Sequence, residues 1–251
     1  MKKALIVANW KSYIESPKAG LVLLQATDKA LPRSMKSKVV VCPPSLLFSH
    51  LTSSYKGSRI AFGVQDISRA PQGAHTGEAT AALARATGST YTLVGHAERR
   101  AAGESQESVA EKVRMALDTK LTPIVCIGER ERDRGAEYLS VIESMLVGSL
   151  ARVGPHELKK LVIAYEPVWA IGAAEAPDAR VVREAVVYIK KILAQRFDKE
   201  LGLKAVVLYG GAVDASNAKS LLVEGQASGF LVGRASVDPK NFGGIIRACE
   251  N

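Results

Sequence analysis

Short apolar runs alternate with longer stretches in which apolar residues recur at helical spacing, from one end of the 251-residue chain to the other. The runs ALIVAN, KVVVC, IAFGVQ, YTLVGH, TPIVCIG, LVIAYE, AVVLYG and GFLVG read as strands. They are apolar at nearly every position instead of alternating, as expected of parallel strands buried on both faces. Helical segments lie between them, for instance at 17–31, 104–119, 136–151, 178–197 and 214–223, several with Ser, Asp or Pro near their starts. Eight strands, each followed by a helix, predict a (β/α)8 barrel, eight parallel strands ringed by helices, in a single domain over residues 1–251. A doubly wound open sheet is the alternative, but its usual Gly-x-Gly-x-x-Gly turn is missing after the first strand, which ends in ANWK. No repeat, low-complexity segment or linker interrupts the pattern.

Composition narrows the function. The chain is 47% hydrophobic and 24% charged, which suits a soluble protein with a large core. Its net charge of +9 invites a nucleic-acid reading. The basic residues, however, are dispersed on helices beside acids, with no basic run interleaved with aromatics. The excess reads as solvated helix faces with some steering of an anionic substrate, and no nucleic-acid partner is expected. Cys42, Cys126 and Cys249 are far apart and lack metal-ligand spacing, which predicts reduced core thiols, no metal and a cytoplasmic setting. The apolar run after the opening lysines stops at Asn9, too soon for a signal peptide, and no stretch is long enough to span a membrane.

In a barrel the carboxyl ends of all strands share one rim, and the candidate chemistry falls there. The sixth strand ends at Glu166, followed by Pro167, Trp169 and Gly172, a stiff segment flanked by small residues that reads as a hinged lid. Asn9 and Lys11 leave the first strand on the same side. His96 ends the fourth strand just before a helical turn, whose positive dipole disfavours imidazolium and favours a neutral N–H donor. LYGGAV and FLVGRAS, at the seventh and eighth strand ends, expose backbone N–H groups suited to phosphate. Singly, each feature has an ordinary structural reading: a solvated carboxylate, a snorkelling lysine, a structural histidine, a glycine turn. Together they suit a carboxylate that removes a proton next to a carbonyl while His and Lys stabilise the developing oxyanion, without metal or cofactor.

Seven blocks in fixed order, ANWK (8–11), GAHTGE (73–78), VGHAERR (94–100), VCIGE (125–129), AYEPVWAIG (164–172), YGGAV (209–213) and LVGRAS (231–236), resemble the triosephosphate isomerase family over the full chain. The resemblance implies a TIM barrel that interconverts dihydroxyacetone phosphate and D-glyceraldehyde 3-phosphate. It implies Glu166 as base, His96 as neutral electrophile, Lys11 as the cation and Asn9 as a polar contact. Glu98 would pair with Lys11, and Tyr209 would support the site from behind. Phosphate would rest on N–H groups of Gly172, Ala212, Gly233 and Arg234, under a lid of residues 167–177. The loop QDISRAPQGAHTGEAT resembles the family's dimer loop, with Thr76 reaching a partner's site; the plainer reading is a surface loop with a helix start at HTGE.

The chain departs from the family at Ala97 and Ala212, where serine is usual, at AAE (173–175) in the lid tip, and at Arg234, where glycine is usual. A non-catalytic phosphosugar-binding protein on the same barrel is therefore the alternative function. A Schiff-base aldolase would want lysine at position 166.

Overall fold

All eight apolar runs form strands: β1 (Leu5–Asn9), β2 (Lys38–Cys42), β3 (Ile60–Val64), β4 (Tyr91–Val94), β5 (Thr122–Ile127), β6 (Val162–Tyr165), β7 (Val207–Tyr209) and β8 (Gly229–Val232). They pair in sequence order, every pair parallel, and β8 pairs with β1 to close the barrel. The computed structural model describes residues 3–133, 135–171 and 177–250.

The absence of alternation in the strands has a simple cause. Leu5, Val7, Val40, Leu93, Ile124 and Leu208 face inward into a cluster built of strand residues alone. Their neighbours Ile6, Ala8, Val39, Val41, Val125 and Ile163 face outward against helix residues such as Leu24, Val113, Ile142, Ile189 and Ile246. Both strand faces are therefore dry.

Around the barrel run α1 (Pro17–Ala30), α2 (Ser45–Ser54), α3 (Ala81–Ala86), α4 (Ala97–Ala101), α5 (Gln106–Asp118), α6 (Glu137–Ser149), α7 (Ala179–Arg196), α8 (Lys199–Leu203), α9 (Ala218–Val223) and α10 (Pro239–Glu250). Ser16, Thr80, Ser105 and Asp178 cap α1, α3, α5 and α7 by accepting backbone N–H bonds, so polar residues set these starts. The helix expected at 214–223 begins only at Ala218. Asp214 Oδ1 accepts the N–H groups of Ser216 (2.7 Å) and Asn217 (3.1 Å), which holds the preceding residues in a turn. HTGE starts no helix either: residues 71–79 are exposed loop, and α3 begins after Thr80. No helix among the described residues is long and apolar enough to cross a membrane.

Candidate active site

The strand ends bring the expected residues to one rim, each by a distinct backbone device. Asn9, buried at the end of β1, accepts the Lys11 N–H through Oδ1 at 3.1 Å. Lys11 itself sits at φ 45°, a left-handed conformation that costs a non-glycine residue about 1–2 kcal/mol. The Gln65 amide holds it there, donating to Lys11 O (2.8 Å) and Cys42 O (3.0 Å). Lys11 Nζ lies 2.6 Å from Glu98 Oε1, the pairing expected from sequence. It also lies against β8, since a Cβ built on Gly233 would stand 3.5 Å from Lys11 Cε.

Gly95 turns the chain out of β4 at φ 68°, where a Cβ would stand 2.8 Å from Arg100 Nη2; only glycine fits. The turn makes His96 the N-cap of α4, with Nδ1 accepting the Glu98 N–H at 3.2 Å. Only an unprotonated Nδ1 accepts that bond, so it selects the neutral tautomer with the proton on Nε2. His96 Nε2 stands 3.3 Å from Glu166 Oε1. Burial works against charging the ring, yet the Glu166 carboxylate, its hydrogen bond and the more distant Glu98 outweigh burial and raise the His96 pKa above its ordinary value.

Glu166 follows β6 directly, its N–H bonded to Ile127 O at 2.8 Å, and is 3% exposed. Burial pushes its pKa up, but the electrostatic pull of the His96 ring and its hydrogen bond, with help from Cys126 and Lys11, bring it below the ordinary carboxylate range. Its second oxygen, Oε2, has no hydrogen-bond partner among the described residues. The Cys126 thiol beside it is pushed well above its ordinary pKa, by burial and then by the Glu166 charge, and stays a neutral S–H.

Two glycines, one of them in the LYGGAV turn expected to hold phosphate, make room for this carboxylate. A Cβ on Gly128 would meet Glu166 O at 2.0 Å, and one on Gly210 would meet Glu166 Cγ at 2.6 Å. Glycines in CIGE and YGG at strand ends were the available signal. Beyond Glu166, Pro167 leads into a 3-10 turn over Val168–Ala170. Glu129, 1% exposed, anchors that turn: its carboxylate accepts the Tyr165 hydroxyl (2.9 Å) and the Trp169 indole N–H (2.8 Å), and its carbonyl accepts the Val168 N–H (2.9 Å). Nothing in VCIGE itself marks Glu129 for this role; only the fold puts it beneath the 3-10 turn. Gly172 and the lid tip 173–175 lie outside the described residues, so of the lid 167–177 only the two ends are placed.

A cavity of ≈ 670 Å³ joins these groups to the ends of β7 and β8, with Asn9, Lys11, His96 and Glu166 on one side and Ala212, Gly233 and Arg234 on the other. Among the described residues, no backbone hydrogen bond outside the regular elements uses the N–H of Gly211, Gly233 or Arg234. Ser236 shapes this turn, its Oγ and N–H both donating to Gly233 O at 2.7 and 2.8 Å. Tyr209 is fully buried behind it, and burial raises its pKa against the backbone hydrogen bond with Ala212. A smaller recess of ≈ 330 Å³ opens beside Lys11 and His96, bounded by Ser45, Gln65, Gly77 and Glu78. Thr76 is exposed on the loop next to it. No group of three His, Cys, Asp or Glu side chains able to hold a metal ion occurs among the described residues.

The family model described as triosephosphate isomerase matches residues 4–249. The triosephosphate isomerase of Rhodopirellula baltica is 35% identical over 252 residues, covering 100% of this chain and 99% of that protein. That of Symbiobacterium thermophilum is 35% identical over 250 residues, covering 99% and 97%. The crystal structure of triosephosphate isomerase from Bartonella henselae superposes with a TM-score of 0.87 at 30% identity, covering 99% of this chain and 100% of that one. With a closed parallel barrel, a family model matched over residues 4–249 and relatives similar from end to end, this chain belongs to the triosephosphate isomerase family.

Proposed function

We propose that the chain interconverts dihydroxyacetone phosphate and D-glyceraldehyde 3-phosphate through an enediolate. The observation that carries this reading is the 3.3 Å approach of Glu166 Oε1 to His96 Nε2, inside a cavity that also holds Lys11 and the β7 and β8 turns. Glu166 is the base: it takes a proton from the carbon beside the carbonyl and returns it to the neighbouring carbon. His96 donates from Nε2–H to the substrate oxygens as charge develops, in the orientation its Nδ1 bond to Glu98 selects. The Lys11 ammonium adds electrostatic stabilisation, and Asn9 holds the Lys11 backbone in its strained conformation. The N–H groups of Gly233 and Arg234, which no backbone bond outside the regular elements uses, hold the phosphate away from the reacting carbons together with that of Ala212, while the expected Gly172 contact lies outside the described residues. Tyr209 supports the β7 turn from below.

The working unit is a cytoplasmic homodimer of single-domain chains. The exposed loop 71–79, the fully open Leu46 (96% exposed) and the recess beside Lys11 and His96 support a partner whose Thr76 enters that recess. Sedimentation equilibrium then gives twice 26.8 kDa, and a monomer active at full rate would refute the shared site.

The deciding experiment is a coupled assay of glyceraldehyde 3-phosphate conversion by the natural chain and by Glu166→Gln. The substitution keeps shape and removes the base, and turnover falls by roughly 10²- to 10⁴-fold. A folded natural chain without activity would overturn the proposal.

A further inference from the structure

We infer that the side chain of Arg234 is itself a phosphate-recognising group, its guanidinium gripping the ligand's dianion at the outer edge of the β8 turn. The inference rests on the triose phosphate reading for the ligand and adds to it a cation where the chain departs from the family's glycine.

Arg234 opens the 3-10 turn Arg234–Val237, is exposed, and lines the ≈ 670 Å³ cavity together with Gly211, Ala212 and Gly233. It is not among the described residues with positive φ, so a side chain sits there without backbone strain. Two aspartates line the same cavity, and neither holds it. Asp214 Oδ1 accepts Ser216 N–H (2.7 Å), Ser216 Oγ–H (2.6 Å) and Asn217 N–H (3.1 Å). Asp238 Oδ1 accepts Lys240 N–H (2.9 Å) and Asn241 N–H (3.2 Å). Among the described residues no hydrogen bond or ion pair engages the Arg234 guanidinium, whereas Arg59, Arg114, Arg132 and Arg180 are each held by a carboxylate. The other cation facing this cavity, Lys11, is already paired with Glu98 at 2.6 Å. Among the described residues Arg234 therefore has no ion-pair partner, it stands beside Gly233 and Arg234 N–H groups that no backbone bond outside the regular elements uses, and its planar fork of donors matches phosphate oxygens in pairs.

The phosphate is chemically unchanged by the isomerisation, so this contact is equally strong in the ground and transition states. Its loss raises KM more than it lowers kcat.

The test is calorimetric titration of inorganic phosphate, at mildly alkaline pH where it is dianionic, into the natural chain, Arg234→Met and Arg234→Gln at several salt concentrations. Both variants bind phosphate about tenfold more weakly than the natural chain, with a shallower salt dependence, and in the assay their defect falls mainly in KM. Arg234 is exposed, and thermal melts matching the natural chain confirm that the variants are folded; if one melts early, the other decides. Phosphate affinity and salt dependence unchanged in a folded variant would overturn the inference, as would a natural chain that does not bind phosphate. A natural chain that binds phosphate through Arg234 but does not isomerise triose phosphate would overturn the proposed activity and leave this inference standing.

Discussion

Gly210 determines where the carboxylate of Glu166 can stand, because a Cβ there would press on Glu166 Cγ at 2.6 Å and on Oε1 at 3.2 Å. The pressed atoms belong to a side chain that can move, so Gly210→Ala should fold and displace the base. A displacement near 1 Å costs roughly 10²-fold in rate, and we expect a loss of that order in kcat with little change in melting temperature. Gly128→Ala differs in kind, since its Cβ would meet the Glu166 carbonyl at 2.0 Å and force β5 from β6. That variant should lose stability along with activity, and urea titration separates the two cases. The His96–Glu166 pair offers a second residue-scale test. The Glu166 carboxylate raises the imidazole pKa against burial, so Glu166→Gln lowers it. NMR titration of the His96 ring reads the change directly; an unmoved pKa would refute the coupling.

The lid and the buried ion cluster are properties of elements. Ile171, at the near end of the lid, and Ala212 line the same cavity, and at Ala212 the family's serine hydroxyl is absent. On the proposed reading of 167–177 as a lid, Ala212→Ser adds one hydrogen bond to its closed state, worth about 0.5–1.5 kcal/mol or roughly 2- to 13-fold in the closed-to-open ratio. Relaxation dispersion on the Trp169 indole, anchored to Glu129, should register it; unchanged exchange would remove Ala212 from the latch. Elsewhere Lys112 on α5, 3% exposed, lies 2.7 Å from both Asp66 oxygens and bonds Glu104. Lys112→Met leaves the buried Glu104 without its cation, while Asp66 keeps Arg99 at 3.0 Å, and removing one partner of a buried pair costs about 3–5 kcal/mol. Denaturant unfolding should show a loss of that size.

At the scale of the whole molecule, acid stability follows from many depressed carboxylates. The Arg114 guanidinium holds Glu157 down to about 2, and Arg180 does the same for Asp178, to about 2. Backbone N–H groups of Glu137 and Tyr138 lower Asp133, and Ser216 lowers Asp214. A carboxylate depressed in the folded state contributes stability above its unfolded pKa and loses it as pH falls through the folded value. The melting temperature should therefore be level, as far as these groups are concerned, above about pH 5 and fall between about pH 4.5 and pH 2. A melting temperature unchanged down to pH 2 would show that these contacts do not persist in solution.

The sequence by itself determined the order and type of the strands, because each must be apolar on both faces, and it placed Glu166, His96 and Lys11 at strand ends on one rim. It also located the starts of α1, α5 and α7, which Ser16, Ser105 and Asp178 cap, but not those of α3 at Thr80 or α8 at Asp198. The tertiary structure alone decided the rest. Gly128, Gly210, Gln65 and Glu129 matter through atoms from strands distant in sequence, and no local pattern records a 2.0 Å clash or a buried indole bond. The late start of α9 came from a turn in which Asp214 took the backbone donors first. The charge on Arg234 could be weighed only once the fold had placed Asp214 and Asp238 beside it and turned both toward their own backbones. Periodicity reports what a residue buries, whereas the pairing of charges and the room for a carboxylate are set by which elements the closed barrel brings together.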